Sequence, residues 1–205
     1  MQQYNPEMLN RIVAPGIAVF TAADIPDLRA EFPQSEHWLS NHYLNTVLGP
    51  NYVGPFRQYA INMLCRAQAQ FAFFHQAREK TVLYIEKSPM HNPAVRHYYA
   101  AIVLWESCLL NYQMFIDLHT KAVGKLAFAP GDGSEEQRAY DIANAVKHWG
   151  GVINSKSRKD DHTIPLSLSN EGFRSNEHHL TYIELAAITR EVAKVADELE
   201  NPGAP

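Results

Sequence analysis

The sequence has few cysteines, no long apolar run and no large excess of charge of either sign. Its 205 residues include two cysteines, and the formal net charge at pH 7 is −4. Cys65 and Cys108 lie among apolar residues in segments of helical periodicity, so we expect buried thiols rather than a disulfide or a nucleophile. A chain without a basic excess lacks the broad positive surface that binds nucleic acid phosphates unspecifically.

Apolar stretches long enough to cross a membrane are missing too. No segment offers the ~20 uninterrupted apolar residues that a spanning helix needs, and no basic start leads into an apolar run of the secretory type. Apolar residues still make up 46% of the chain, which is ample for a large core. We therefore expect a folded, cytoplasmic protein that does not contact a membrane.

The motifs of several enzyme classes are also absent. The sequence contains no Gly-x-Ser-x-Gly elbow, no phosphate loop with its lysine, and no Glu-x-x-His of the di-iron bundles. The sequence has ten histidines, which are common metal ligands. No spacing defines a metal site among the best candidates, which are His148, His162, His178 and His179. Adjacent residues on a helix point about 100° apart. We predict no metal and no cofactor.

Prolines and glycines divide the first 55 residues into short pieces. Only short helices fit between such breaks, and the best candidate covers residues 35–48. We expect residues 1–55 to form short helices that pack on the rest of the protein. The breaks are Pro6, Pro15, Pro26, Pro33, Gly49, Pro50 and Pro55.

Two long helices are predicted after these breaks. From Phe56 to Tyr84, apolar residues recur at steps of three and four, which indicates one long amphipathic helix. A second helix, over residues 93–122, is apolar on most of its sides. The connection between the two is so short that they must run antiparallel.

Two further helices are predicted in the second half of the chain. Ser134 and Gln137 match a capping box, which starts a helix over residues 135–150. The apolar steps of three and four near the end of the chain predict a last helix over 176–200. Residues 154–176 lack a helical period, so they form either an ordered excursion or a flexible loop. The alternating Ile164, Leu166 and Leu168 there could form a small hairpin.

Together these elements predict an all-α fold class. The expected architecture is an antiparallel bundle of four long helices with additional short N-terminal helices. Residues 1–55 would hold the short helices, and residues 56–200 would form the bundle.

The segment from Tyr140 to Trp149 is the most informative part of the sequence. Its Asp141, Asn144 and His148 lie on one helix face at steps of three and four, beside an apolar stripe. The segment follows two long antiparallel helices and precedes a final one, and it resembles the HEPN superfamily of helical-bundle proteins. The resemblance implies a ligand-binding surface around Asp141, Asn144, Lys147 and His148.

The same resemblance raises the question of catalysis. Active HEPN proteins are metal-independent ribonucleases that use an arginine followed, after four to six residues, by a histidine. Here His148 and Asn144 fit the histidine and its polar companion, but the position expected for arginine holds Ala143. Alanine supplies neither the positive charge for a phosphate nor a hydrogen bond. A second match to the spacing runs from Arg174 to His179.

Three functions remain open at this stage. The first, which the missing arginine favours, is a HEPN-like non-catalytic interaction module, a homodimer that binds a protein partner, a nucleotide or RNA. The second is a metal-independent ribonuclease, a toxin or defence effector, with Arg174 and His179 or His148 as the catalytic pair. The third is a helical enzyme or carrier of unrelated type. Its polar stripe on the second long helix would be Glu106, Gln113 and Asp117.

Overall fold

The computed structural model describes residues 5–48, 55–87, 92–153, 164–175 and 177–201. Within these ranges the chain forms seven α-helices and one small antiparallel sheet, which confirms the prediction of a mainly helical protein. The helices are α1 (Pro6–Ile12), α2 (Trp38–Leu48), α3 (Pro55–Glu86), α4 (Asn92–Val123), α5 (Glu135–Lys147), α6 (Trp149–Ile153) and α7 (Tyr182–Glu200). The strands are β1 (Ser167–Leu168), β2 (Gly172–Arg174) and β3 (His179–Thr181).

The two longest helices, α3 and α4, contain 32 residues each and pack side by side. The Trp105 indole N–H donates to Thr81 Oγ1 at 3.1 Å, and Arg66 donates to Asn111 at 3.3 Å. The contact residue on α4 advances from Trp105 to Asn111 while its partner on α3 goes back from Thr81 to Arg66. The two helices therefore run antiparallel, as their short connection predicts. Despite their length, no helix in the described ranges is apolar enough to cross a membrane.

An aromatic core joins the long helices to the sheet. Trp105 is fully buried, and its ring meets Phe74 of α3 and Phe173 of β2 edge-on, with ring centroids 5.4 and 4.9 Å apart. Tyr182, the first residue of α7, contacts both Trp105 and Phe173. Edge-to-face pairs of this kind stabilise a core beyond the burial of their area.

The N-terminal segment packs onto these helices. The Phe20 ring stacks on Tyr84 of α3 with centroids 5.5 Å apart, and the Tyr84 hydroxyl donates to the Ile17 carbonyl. Leu28 and Trp38 are also fully buried in the same core. These buried side chains join the N-terminal segment to the core of the long helices, whereas Met8, Ile12 and Val19 stay exposed.

The start of α5 is built by the turn that precedes it. Gly131 and Gly133 adopt positive φ angles of 85° and 70°, a conformation that favours glycine. Ser134 Oγ then accepts from the Gln137 N–H at 3.2 Å, and Gln137 Oε1 accepts from the Gly133 N–H at 2.8 Å. The Ser134 bond satisfies an amide that the first helical turn leaves open, as the sequence predicts. The capping box is incomplete, because Gln137 accepts from Gly133 and the Ser134 N–H donates to Asp132.

The prediction that the last helix begins at residue 176 is wrong. His179, Leu180 and Thr181 form β3, and α7 begins at Tyr182. Thr181 Oγ1 accepts from the Glu184 N–H, and the Glu184 carboxylate accepts from the Thr181 N–H at 2.7 Å, so a complete capping box marks the true start. The interpretation of His178 and His179 as helical neighbours is corrected by the same observation.

The small sheet lies within the predicted excursion over residues 154–176 and continues beyond it. Leu168 of β1 pairs with Phe173 of β2, and Phe173 pairs with Leu180 of β3, all three side chains being buried. Strands of two or three residues are too short to give a clear period in the sequence. Residues 154–163, which include His162, and residue 176 lie outside the described residues.

Candidate functional site

Two hydrogen bonds between side chains join α4 to α5. Buried Gln113 on α4 donates through Nε2 to Oδ1 of Asn144 on α5. The Tyr140 hydroxyl donates to Oδ1 of Asp117 at 2.8 Å. Because the helices are antiparallel, the step of four residues from Gln113 to Asp117 matches the step of four from Asn144 back to Tyr140. The four side chains therefore form a polar connection one helical turn long.

Tyr140 is held in its protonated form in this connection. Burial raises the pKa of its phenol, and the neighbouring Asp117 carboxylate raises it further. The phenol therefore donates to the carboxylate at neutral pH. Asp117 itself is exposed, so its carboxylate also faces solvent and can accept a further donor.

A groove of about 350 Å³ opens beside this connection. We call it the α4–α5 groove. The rings of Phe128 and Tyr140 meet edge-on at 5.5 Å and form part of its wall, and Leu126 is 49% exposed at its rim. Its charged residues are two carboxylates and one ammonium, so its net charge is negative. The residues that define the groove are Asp117, Lys121, Leu126, Phe128, Tyr140 and Asp141.

The structure brings two of the predicted ligand-binding residues to this region. Half-buried Asp141 lines the groove, and half-buried Asn144 lies one turn further along α5, bonded to Gln113. Lys147, the last residue of α5, and His148, its C-cap, are exposed. The His148 backbone N–H donates to the Asn144 carbonyl at 3.0 Å, so its place at the helix end is fixed by the backbone.

The second predicted pair, Arg174 and His179, lies in the sheet. The two residues are direct partners across β2 and β3, so their side chains project from the same face. Arg174 is exposed and His179 is half-buried. Arg138 of α5 donates to the His179 carbonyl at 3.0 Å and to Glu184 of α7 at 2.7 Å, which ties this end of the sheet to both helices.

The polar stripe predicted on α4 is divided by the structure. Gln113 and Asp117 are bonded to α5, whereas Glu106 has no hydrogen bond or ion pair within the described residues. Glu106 is half-buried, and burial raises the pKa of its carboxyl above the usual value. It is therefore a carboxyl that solvent reaches only in part and to which no described residue donates.

A charged cluster between the N-terminal segment and α3 was not predicted. Arg29 donates to Asp27 at 2.6 Å and to Glu79 at 3.1 Å. His75 is buried beside them, with Nδ1 3.6 Å from Asp27 Oδ1, and burial lowers its pKa to about 4. The spacing of His75 and Glu79, four residues apart on α3, was the only local signal of this cluster. We interpret it as the ionic connection that holds the N-terminal segment on α3.

Sequence reasoning also missed two aromatic parts of the groove. Tyr140 lies inside the informative segment but was not assigned to the ligand-binding surface, and Phe128 lies in a bend without any motif. In the described ranges no group of three or more histidine, cysteine, aspartate or glutamate side chains is placed to hold a metal ion. Comparison with protein-family models, with curated proteins and with solved structures finds no match to the chain.

Proposed function

We propose that the chain is a HEPN-like interaction module without catalytic activity, which binds a protein partner in the α4–α5 groove. In this proposal α3, α4, α5 and α7 are the four antiparallel helices of the bundle, and the module works in the cytoplasm as a homodimer. The observation that carries the proposal is the pairing of Tyr140 with Asp117 at the floor of a partly apolar groove.

The charge of the groove favours a protein partner over a nucleotide or RNA. Asp117 and Asp141 line it together with Lys121, so the carboxylates outnumber the ammonium. A phosphate placed about 4 Å from a carboxylate near a protein surface meets a repulsion of roughly 4 kcal/mol. A lysine or arginine side chain gains a similar attraction before its desolvation is subtracted.

The apolar wall of the groove indicates what flanks that basic side chain. Leu126 is half exposed, and the Phe128 and Tyr140 rings lie beside the carboxylates. Aromatic faces attract a guanidinium or ammonium held within about 6 Å. Protein interfaces commonly combine such an apolar centre with a polar rim. The expected partner segment therefore carries a basic residue between apolar ones.

A titration with short probes tests this proposal. The probes are a peptide of alternating leucine and arginine, the same peptide with glutamate in place of arginine, and a single-stranded RNA oligonucleotide. We expect the arginine peptide to shift the amide NMR signals of Phe128, Tyr140 and Asp141. Asp141→Asn should weaken that binding severalfold, while Asp24→Asn, an exposed carboxylate elsewhere, should not. Preference for the glutamate peptide or for RNA at the groove would contradict the proposal.

One observation supports the ribonuclease as a second candidate. Arg174 and His179 lie directly opposite each other on adjacent strands, so a guanidinium and an imidazole share one face of the sheet. Such a pair could hold a phosphate and move a proton. We rank this candidate second because Glu171 lines the same pocket as Arg174, and its carboxylate opposes the binding of an anion. The helical setting that the HEPN resemblance implies for the pair is also not the setting observed.

A further inference from the structure

One side of α4 presents a stripe of exposed apolar side chains. Tyr99, Val103 and Met114 are 41%, 59% and 48% exposed, and Leu110 between them is half-buried. Together with Glu106 they recur at steps of three and four, so all five lie on one side of the helix. We call these residues the α4 stripe. Exposed apolar side chains that adjoin one another in this way commonly mark an interface.

Among the described residues, the neighbours of α4 leave this side open. Asn111 is bonded to Arg66 of α3, and Gln113 is bonded to Asn144 of α5. Successive residues of a helix are about 100° apart around its axis. Viewed down that axis, the α4 stripe lies between Asn111 and Gln113. The stripe therefore lies at the outer side of α4, between the contacts that α3 and α5 make with it.

The positions of the stripe and of its flanking residues are spaced symmetrically about a centre between Glu106 and Ser107. On this side of the helix, the two pairs next to the central pair are apolar and the outermost pair is of opposite charge. The pairs are Glu106 with Ser107, Val103 with Leu110, Tyr99 with Met114, and Arg96 with Asp117.

Such a pattern suits a two-fold symmetric contact. When two copies of one helix pack antiparallel about a two-fold axis, residues at equal distances on either side of the axis meet in the same layer. Val103 would then meet Leu110 of the second copy, and exposed Arg96 would meet exposed Asp117. Asp117 accepts the Tyr140 hydroxyl through Oδ1, and its other oxygen is available to the guanidinium, which leaves Asp141 as the groove carboxylate for the basic residue of the protein partner.

We infer that the α4 stripe binds the same stripe of a second copy of this chain, antiparallel, with the two-fold axis beside Ser107. The inference rests on the homodimer of the proposed function and names its surface and its register. Half-buried Glu106 then lies in the same layer as Ser107 of the second copy, whose hydroxyl donates to the Val103 carbonyl of its own helix at 2.8 Å.

Other arrangements fit the stripe less well. A parallel pairing in register would place Arg96 on Arg96 and Asp117 on Asp117, and like charges in direct opposition destabilise a contact. A helix of another protein gives no reason for the symmetric spacing in this one.

The oligomeric state of the full chain tests the inference. We expect light scattering to show a dimer at micromolar concentration and Val103→Glu to shift it at least tenfold towards monomer. Val123→Glu is the matched control, because Val123 lies on the same helix with the same 59% exposure but outside the stripe. Unchanged helix content by circular dichroism shows that both variants fold.

A monomeric wild-type chain, or equal effects of Val103→Glu and Val123→Glu, would overturn the inference. Binding of the basic peptide at the groove is measured on the same samples. A monomer that still binds the peptide would sink this inference alone, whereas a dimer that does not bind it would sink the proposed function alone.

Cysteine crosslinking tests the register in a Cys65→Ser background. Beside the axis, the two copies of residue 107 have their α carbons within the ~7 Å that a disulfide spans, so Ser107→Cys should form a linked dimer. Residue 103 lies opposite residue 110 of the second copy, so the two copies of residue 103 are about 10 Å apart along the helix. Val103→Cys should therefore form no disulfide between the two copies. The reverse result would indicate a parallel pairing and would overturn the register.

Charge reversal gives an independent check of the same register. Arg96→Glu should weaken the dimer severalfold, and adding Asp117→Arg to the same chain should restore it, since each copy then carries the reversed pair. A double variant weaker than Arg96→Glu alone would show that these residues do not meet.

Discussion

Arg174 and His179 face each other across strands β2 and β3, although a spacing of this kind belongs to a helix in the HEPN proteins that the sequence resembles. The Ser175 N–H donates to the His178 carbonyl at 2.9 Å and closes the hairpin between them. Arg174 and His179 are the next pair of opposite residues along the two strands. They form a non-hydrogen-bonded pair, and in such pairs the side chains approach most closely. Proximity alone does not make the pair catalytic.

Incubation with RNA in the presence of EDTA decides whether this pair cleaves. We expect the wild-type chain, Arg174→Ala and His179→Ala all to leave a single-stranded RNA intact, because the Glu171 carboxylate opposes phosphate at this face. The measurement is gel electrophoresis of the RNA over several hours. Metal-free cleavage that disappears in His179→Ala or in Arg174→Ala would make the ribonuclease the better candidate.

Asn144→Ala should destabilise the fold because it removes the acceptor of a buried donor. Gln113 is 4% exposed, and its Nε2 would lose Asn144 without gaining water. An unsatisfied buried group of this kind costs about 1–3 kcal/mol in the free energy of unfolding, which urea denaturation measures. Lys147→Ala, an exposed change at the end of the same helix, should alter that free energy by less than about 0.5 kcal/mol.

A double variant separates this account from a simple loss of packing. Replacing both partners, as Gln113→Leu with Asn144→Ala, removes the donor and the acceptor together. The double variant should recover part of the loss, since no polar group is then left unsatisfied. Additive losses from the two single changes would contradict the account.

Acid should weaken the fold through His75. Burial lowers its pKa to about 4 in the folded chain, whereas in the unfolded chain it stays near 6.5. Between these values the unfolded state binds more protons, so stability falls as the pH decreases from 6.5 towards 4. The loss attributable to this side chain is on the order of 2 kcal/mol, measured by urea denaturation at each pH.

His75→Phe isolates this contribution. The phenyl ring can pack against Phe71 and Phe74, which surround the imidazole, but it cannot be protonated. Arg29 keeps the pKa of neighbouring Asp27 well below its usual range, so that carboxyl stays ionised across the window. We expect a flatter pH dependence for His75→Phe and an unchanged one for His37→Gln, an exposed control. An equal slope in His75→Phe and wild type would exclude His75 as the cause.

Gly172→Ala should disrupt the small sheet. A methyl group on Gly172 would lie 2.1 Å from the Leu180 carbonyl oxygen and 2.5 Å from the Thr181 α carbon, and both are backbone atoms that cannot move aside. We expect a loss of more than about 2 kcal/mol in the free energy of unfolding. Gly150→Ala meets no atom within 4 Å, so it should be neutral or slightly stabilising. Similar losses in the two variants would contradict this account.

The long helices were predictable because their apolar periodicity extends over many turns. Phe56 to Tyr84 repeats the same steps for nearly the whole of α3, and Ser134 with Gln137 gives a local signal for the start of α5. The sheet was not predictable in the same way, since its pairing of Leu168, Phe173 and Leu180 is held by contacts with aromatic residues distant in sequence. Helix patterns are local, but short strands depend on what they pack against.

The candidate site was predictable only in part, for a related reason. Asp141 and Asn144 were identified from their positions along one helix, and the structure adds the partners that give them a role, Asp117 and Gln113 on α4. Those partners depend on how α4 and α5 align, which no periodicity within either helix specifies. The charged cluster of Asp27, Arg29 and His75 also joins segments far apart in the chain.

Glu106→Gln should strengthen the self-association inferred for α4. In the antiparallel pairing the two Glu106 side chains face each other across the two-fold axis, offset by about 1.5 Å along the helices, so their carboxyls approach each other. Burial already raises the pKa of this carboxyl, because the ionised form is poorly solvated. Glutamine keeps the shape and removes both the repulsion and the cost of burying charge. A gain of about 1 kcal/mol, roughly fivefold in the dimer dissociation constant, is expected from one relieved like-charge pair.

Sedimentation equilibrium measures that constant, and Glu198→Gln, an exposed change on α7, serves as the control. A weaker dimer in Glu106→Gln would mean that the carboxylate makes a favourable contact at the axis, and the position of the axis would then have to be revised.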